Sequence, residues 1–352
     1  MNLLDVINEL VEERDIDKAT LVSVVLDGML AAYKKKYPHL ELRVNFDAAG
    51  GTLAVEVVKE VVSSVELEES QVSLRKARGI DSKIALGDKI WMPFEGMIGR
   101  VEILKARQII AQKIGAVEAL AVYNVFKGRE GTVVQGTVYK NERGGTVVKL
   151  QDAHAFLPRS LSIPDEKLLP GYPIKALLKE VLVEPRNENQ LILDRVSIDF
   201  LKKLFELEIP EVFERLVEIK KIVRDPGYKS KVLVSSQDSN IDPVGTCVGV
   251  GGVRIKPILK ELGGEKIDVI SATPMQEELV KNSLKPAEIN RVEVINNVAR
   301  VWLNDEQRSL AIGKMGKNIA LASALLGLEI ELVENIGASK QELMLNMDKD
   351  GE

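Results

Sequence analysis

Cysteine, histidine and aromatic side chains are scarce in this chain, and each shortage removes a class of function. There is one cysteine, Cys247, in 352 residues, which excludes an internal disulfide framework. With only His39 and His154 beside it, there is no His and Cys set for a zinc site. Neither histidine stands near Cys247 in sequence to activate it as a nucleophile, so it reads as a small packed side chain. No catalytic residue, metal or cofactor is expected. Aromatics are 4% of the chain and hydrophobic residues 45%, so the cores must be mostly aliphatic. No apolar run is read as long enough to span a bilayer, and Asp5, Glu9, Glu12 and Glu13 charge the first helix where a secretory signal would be apolar. A soluble, cytoplasmic protein without a membrane partner is expected. Positive charge is also lacking: the formal net charge is −5, so binding of a polyanion must rest on local clusters.

What the chain does contain is one pattern written twice. Residues 241–271 place Asp242 as an N-cap before Pro243, then a short helix, then Gly249, Val250, Gly251 and Gly252, a second helix, a Gly263-Gly264 stop and a strand from Lys266 to Ile270. About sixty residues later, Asp305 is read as the cap, Gly313, Lys314, Met315 and Gly316 as the tetrapeptide, and Gly327 as the stop before Leu328 to Val333. The tetrapeptide GxxG alone is weak, since 26 glycines give about two matches by chance. Cap, helix, glycine loop, helix, stop and strand in that order, twice, resemble a KH domain and its repeat. A GxxG turn lets backbone approach a nucleic-acid strand with no Cβ in the way, and the next helix offers N–H groups to phosphates. Lys314, Lys317 and Asn318 serve the second loop. The first has no basic residue inside it and relies on Arg254 and Lys256 just beyond.

The rest of the chain supplies the surroundings. Residues 3–13 and 18–37 read as helices, the second ending in Lys34, Lys35 and Lys36, read as complements of the helix dipole. A hairpin follows over 42–46 and 53–62, turning through 48–51, then a looser charged stretch over 63–86. Residues 101–126 predict one helix, about 39 Å long if continuous, with Val101, Leu104, Ile109, Ile110, Ile114 and Val117 as its apolar stripe. From Gly131 to about 199, short strands predict a small barrel of the OB type, with Tyr139, Lys140, Phe156 and Arg159 as candidates for single-strand binding; Phe156 reads equally well as core. Residues 200–224 predict an amphipathic helix, and Pro257 predicts a late start or a kink in the helix after the first loop.

Glu211 to Val217, Arg224-Asp225-Pro226-Gly227, the run from Asp242 to Gly249, and the run from Glu261 to Asp268 together resemble the first KH domain of the NusA family of bacterial transcription termination and antitermination factors. The run from Ala311 to Asn318 with Leu321-Ala322 is similar to that family's second KH domain, and Ala31 to Tyr37 to its N-terminal domain. The resemblance implies an α+β multidomain protein. Its parts are an α/β N-terminal domain that binds RNA polymerase (1–126), an S1-type OB barrel (131–199), two tandem type II KH domains (200–276 and 277–340) and a flexible tail (341–352). It further implies a monomeric, non-enzymatic factor whose partners are RNA polymerase, nascent single-stranded RNA and other antitermination factors, acting on pausing, termination and antitermination. An RNA-decay enzyme with KH and S1 modules, or a ribosome-assembly factor, is the alternative. A phosphorolytic nuclease would place its barrel after the KH domains and needs more than residues 1–130 for its core. No GxxxxGK[ST] or complete GxGxxG occurs at the loops, because Arg308 and Met315 interrupt the first pattern and Arg254 the second.

Overall fold

The computed structural model describes residues 3–14, 16–47, 52–151, 153–186 and 189–334. The expected turn over 48–51, residues 335–340 and the tail over 341–352 lie outside the described residues. The chain divides into two compact units, Met1–Val125 with Val183–Pro185 and Phe126–Leu182 with Arg186–Glu352.

The first unit opens with α1 (Leu3–Arg14) and α2 (Lys18–Lys36). Asp17 caps α2 by accepting from the Thr20 amide at 3.0 Å. Lys34, Lys35 and Lys36 fill its last turn, and Lys36 donates to the carbonyl of Met97, which suits a helix terminus. Strand β1 (Leu42–Asp47) pairs antiparallel with β2 (Thr52–Val62), as the alternation predicts. The stretch read as loose in fact holds β3 (Gln71–Ser73), parallel to β2, and α3 (Leu74–Arg78), capped by Ser73. Val72 and Ala77 close a small core there with Val61 and Met92. Strand β4 (Lys89–Pro93) completes the sheet against β2.

Helix α4 (Arg100–Phe126) is continuous, but its predicted stripe is only partly buried. Ile114 and Val117 pack on Ile7, Ile16 and Leu21, whereas Val101 and Leu104 are 65% and 64% exposed. Contrary to the sequence reading, the helical stretch 100–129 is long and apolar enough by composition to cross a membrane. Within it Lys113 pairs with Asp27 of α2. The close approach of these helices needs Gly28, since a Cβ there would fall 2.3 Å from Ile110 Cγ1 and 3.3 Å from the Ala106 carbonyl.

The second unit begins with the barrel: β5 (Val133–Glu142), β6 (Gly145–Lys149), β7 (His154–Pro158), β8 (Pro173–Arg186) and β9 (Asn189–Asp194), closed in the order β5-β6-β7-β9-β8. Five strands closed in this way are an OB-type barrel. Helices α5 (Ile198–Glu208) and α6 (Pro210–Phe213) follow. The predicted helix over 200–224 then fails, because Val217–Asp225 is strand β10. Arg215, at φ 63°, breaks the helix, and a bulge between Ile219 and Lys221 disguises the alternation that marks a strand.

Strand β11 (Lys229–Ser236), α7 (Pro243–Val248), α8 (Ile255–Glu261) and β12 (Lys266–Ser271) complete the first αββααβ unit. The second repeats it with α9 (Gln276–Ser283), β13 (Arg291–Ile295), β14 (Val298–Leu303), α10 (Asp305–Ile312), α11 (Lys317–Leu326) and β15 (Glu329–Glu334). Each three-stranded sheet has one antiparallel and one parallel pairing. The first αββααβ unit shares a core with the barrel, where Ile163 and Leu177 join Phe200, Phe205, Val232 and Ile258. Buried Arg195 bolts the two together, donating to Glu166 at 3.1 Å, to Glu261 Oε1 at 2.6 Å and to the Glu261 carbonyl at 2.8 Å.

Gly28→Val is expected to destabilise the first unit by about 1–3 kcal/mol, since overpacking forces the helices apart. A lowered urea midpoint for the transition of that unit checks it; an unchanged midpoint would contradict the close crossing.

Candidate nucleic-acid interface

The two glycine loops have nearly the same backbone. Asp242 caps α7 through the Val244 amide at 3.0 Å, with Pro243 in the first turn. The helix ends at Gly249 (φ 74°, ψ 165°), Val250–Gly252 form a 3-10 turn, and Gly251 sits at φ 62° and Gly252 at φ 78°. In the second loop Gly313 takes φ 73° and ψ 176°, Met315 φ 55° and Gly316 φ 75°. The first glycine is required twice over, by its positive φ and by space: a Cβ on Gly313 would stand 2.6 Å from Asn318 Cβ, and one on Gly249 3.0 Å from Arg254 Cγ. At the third position one loop uses glycine while the other holds Met315 in the left-handed region, a conformation that costs about 1–2 kcal/mol.

The cap of α10 is Asn304, not Asp305, which lies in the first turn. The Asn304 side chain accepts from Asn290 at 2.9 Å instead of from its own helix. Helix α8 starts at Ile255, so Pro257 falls in the first turn, where the missing N–H breaks no helical bond. The late start is the outcome, without a kink.

At the loop tips Val250 is 95% and Met315 85% exposed, and Lys314 and Lys256 are exposed beside them. These side chains are free to meet a ligand. The other three basic or polar candidates are committed within the protein. Arg254 Nη1 donates to both carboxylate oxygens of Glu211 and to the Thr246 carbonyl, all at 2.9 Å. Lys317 pairs with Asp225 at 2.5 Å and lies 4.6 Å over the Tyr228 ring. Asn318 is buried, accepting from Lys229 Nζ at 3.0 Å and donating to the carbonyls of Ala311 (3.1 Å), Leu284 and Leu310 (both 3.3 Å). Its side chain holds the root of the loop.

Sequence reasoning missed the residues that join the two αββααβ units here. Lys231 is fully buried, with Nζ 2.8 Å from Asp268 and 2.7 Å from the Ser283 carbonyl. Burial pushes its pKa down, against the pull of Asp268. Cys247 is buried as expected, and burial, reinforced by Glu211, pushes its thiol up to about 12.

On the barrel, Ala155 and Leu157 point inward while His154 and Phe156 point outward, so Phe156 is not core. A Cβ on Gly145 would lie 2.9 Å from its Cζ, which places the ring over the β5–β6 turn. Tyr139 is exposed, its ring 5.2 Å from that of His154, and Lys149 is paired with His154 in register. Lys140 pairs with Glu142 at 2.8 Å, and Arg159 is exposed on the following 3-10 turn. His154 and Lys149 stand on this face as the alternation of β6 and β7 dictates, and sequence reasoning missed them.

Two αββααβ units with GxxG loops, behind an OB-type barrel, define a tandem type II KH protein. Family models agree: residues 195–272 match the NusA-like first KH domain, 276–340 the NusA-like second KH domain and 2–119 the NusA N-terminal domain. The chain is 37% identical over 298 residues to the transcription termination/antitermination protein NusA of Thermus thermophilus, covering 84% of this chain and 77% of that one. It is 33% identical to the Rickettsia conorii protein of the same name, over 97% of this chain and 69% of that one, and 32% identical to that of Bacillus subtilis, over 94% and 90%. The chain belongs to the NusA family.

Gly251→Val is expected to cost about 1–2 kcal/mol by forcing a β-branched residue to positive φ, while Met315→Gly leaves stability unchanged or raises it. Paired thermal melts check the contrast; equal losses would contradict the loop geometry. Cys247 in the native chain at pH 8 is expected to resist a disulfide reagent until denaturant is added, and rapid native labelling would contradict its burial.

Proposed function

We propose that the chain is a non-catalytic transcription factor that joins RNA polymerase through residues 1–126 and nascent single-stranded RNA through the barrel (131–199) and the KH pair (200–276 and 277–340). In this reading it acts in the cytoplasm as a monomer on pausing, termination and antitermination, alongside other antitermination factors. The observation that carries the reading is the same left-handed GxxG loop built twice, with exposed Val250 and the Lys314-Met315 pair at its tips, in a chain of the NusA family. The loops bring backbone and a basic side chain to the phosphates, and the apolar tips offer contact to sugars and bases. Tyr139, His154 and Phe156 give the barrel an outward face on which bases can stack.

With a net charge of −5, affinity for RNA alone is expected to be modest. Attachment to polymerase then raises the effective RNA concentration at the KH surface. Fluorescence anisotropy of a short single-stranded RNA tests the RNA half: affinity falls with salt at roughly 0.7 log units per phosphate engaged and is lost in the Lys314→Asp/Met315→Asp variant. Unchanged affinity in a variant of normal thermal stability would remove the second loop as a contact. For the polymerase half, deletion of residues 1–126 is expected to abolish co-elution with RNA polymerase and leave RNA binding largely intact. Retained co-elution would contradict the assignment.

A further inference from the structure

A cleft of about 760 Å³ opens between the KH units, where the starts of β11 and β12 meet the end of α9 and residues 285–289. No glycine-loop residue lines it. Four lysines do, Lys229, Lys266, Lys281 and Lys285, against two carboxylates, Asp268 and Glu288.

The charges are unevenly matched. Lys229 Nζ is fixed in the wall, 2.8 Å from Asp268 Oδ2 and 3.0 Å from Asn318 Oδ1. An ammonium has three donors, so one remains for a ligand oxygen. Asp268 is shared, because Lys231 also approaches the same oxygen at 2.8 Å. Lys266 and Lys285 are exposed with no carboxylate within ion-pair distance among the described residues, and Lys281 makes one long contact, 3.4 Å to the Asn290 carbonyl. Pro286, Ala287 and Ile289 form an apolar wall, beside which uncompensated positive charge acts more strongly than on open surface.

We propose that this cleft is a further RNA contact, taking phosphodiester groups of the strand that the second glycine loop clamps. The inference rests on the RNA reading above and extends it. Lys229 links cleft and loop directly, since its partner Asn318 holds the root of that loop. One fixed ammonium with exposed ones at the rim suits the repeated, singly charged phosphates of a flexible strand. The cleft has no arginine fork of the kind that favours bidentate capture of a carboxylate.

The test uses the full chain with Lys266→Gln/Lys285→Gln, two exposed positions, and Lys34→Gln/Lys35→Gln as a charge-matched control. Lys229 is left intact because it belongs to the joint. Anisotropy is read across salt with a strand of about twelve nucleotides and with one of roughly four, the span of a single KH loop. For the longer strand the cleft variant is expected to bind roughly tenfold more weakly at physiological salt, with a salt slope smaller by about 1.4, two phosphates' worth. The short strand and the control are expected to be unaffected. An unchanged slope, or an equal loss in the control, overturns the cleft while leaving the glycine loops standing. Loss of polyglutamate binding with RNA binding intact likewise overturns it, in favour of an acidic peptide. If the unaltered chain binds neither strand, the RNA reading fails and the cleft falls with it.

Discussion

The outer face of β11 carries Lys229 and Lys231 where a packed sheet would ordinarily place aliphatic side chains, and both are buried. Removing an ammonium from water costs several kcal/mol unless partners replace the solvent. Here they come from both KH units: Asp268 from the first, Ser283 and Asn318 from the second. The joint is therefore held by directional contacts as well as by apolar area, and directional contacts fix orientation. Lys221 adds a bond to the Ala324 carbonyl at 2.7 Å, and Lys317 its pair with Asp225. Because Asn318 sits just beyond Gly316, the second loop is oriented by the first KH unit's sheet. Two loops on one rigid support can address one strand with little conformational entropy left to lose.

Such preorganisation matters for a chain without a positive field. Long-range attraction cannot supply affinity at this net charge, so in the proposed reading binding depends on short-range contacts already in place: positive-φ backbone at Gly249, Gly251, Gly313 and Gly316, and lysines standing clear of acidic neighbours. The first loop illustrates the economy. Arg254 is held by Glu211, which in the proposed reading leaves Val250, the glycine backbone and exposed Lys256 as the contact surface there. Bolted through Arg195 to the barrel, the first KH unit extends that rigidity to the outward ring pair of Tyr139 and His154.

The sequence made the loops legible because glycine, cap and stop are local signals with few physical alternatives. The barrel was legible for a similar reason, since turns and alternation bracket each strand. Strand β10 was not: Val217, Ile219 and Ile222 fit a helical period once the bulge shifts the phase, and only pairing with β11 decides the matter. Strand β3 and α3 are too short to leave a period at all. In α4 the apolar positions were read correctly and their burial was not, because composition does not say which turns of a helix are covered. The loop residues are legible in the sequence, but the partners that hold three of them are not. Asn318, Lys317 and Arg254 look like ligand groups in sequence, and their partners Lys229, Asp225 and Glu211 lie 89, 92 and 43 residues away. The buried lysines gave no signal, since lysine in a strand ordinarily marks a solvent face.

The claim on which the account stands is that both glycine loops contact the same RNA. Amide hydrogen exchange of the intact chain, with and without single-stranded RNA, tests it most directly. The account requires new protection at residues 249–256 and 313–318 together, in the same titration. Protection confined to the barrel, with both loops exchanging as in the free protein, would contradict it and leave the KH pair a scaffold.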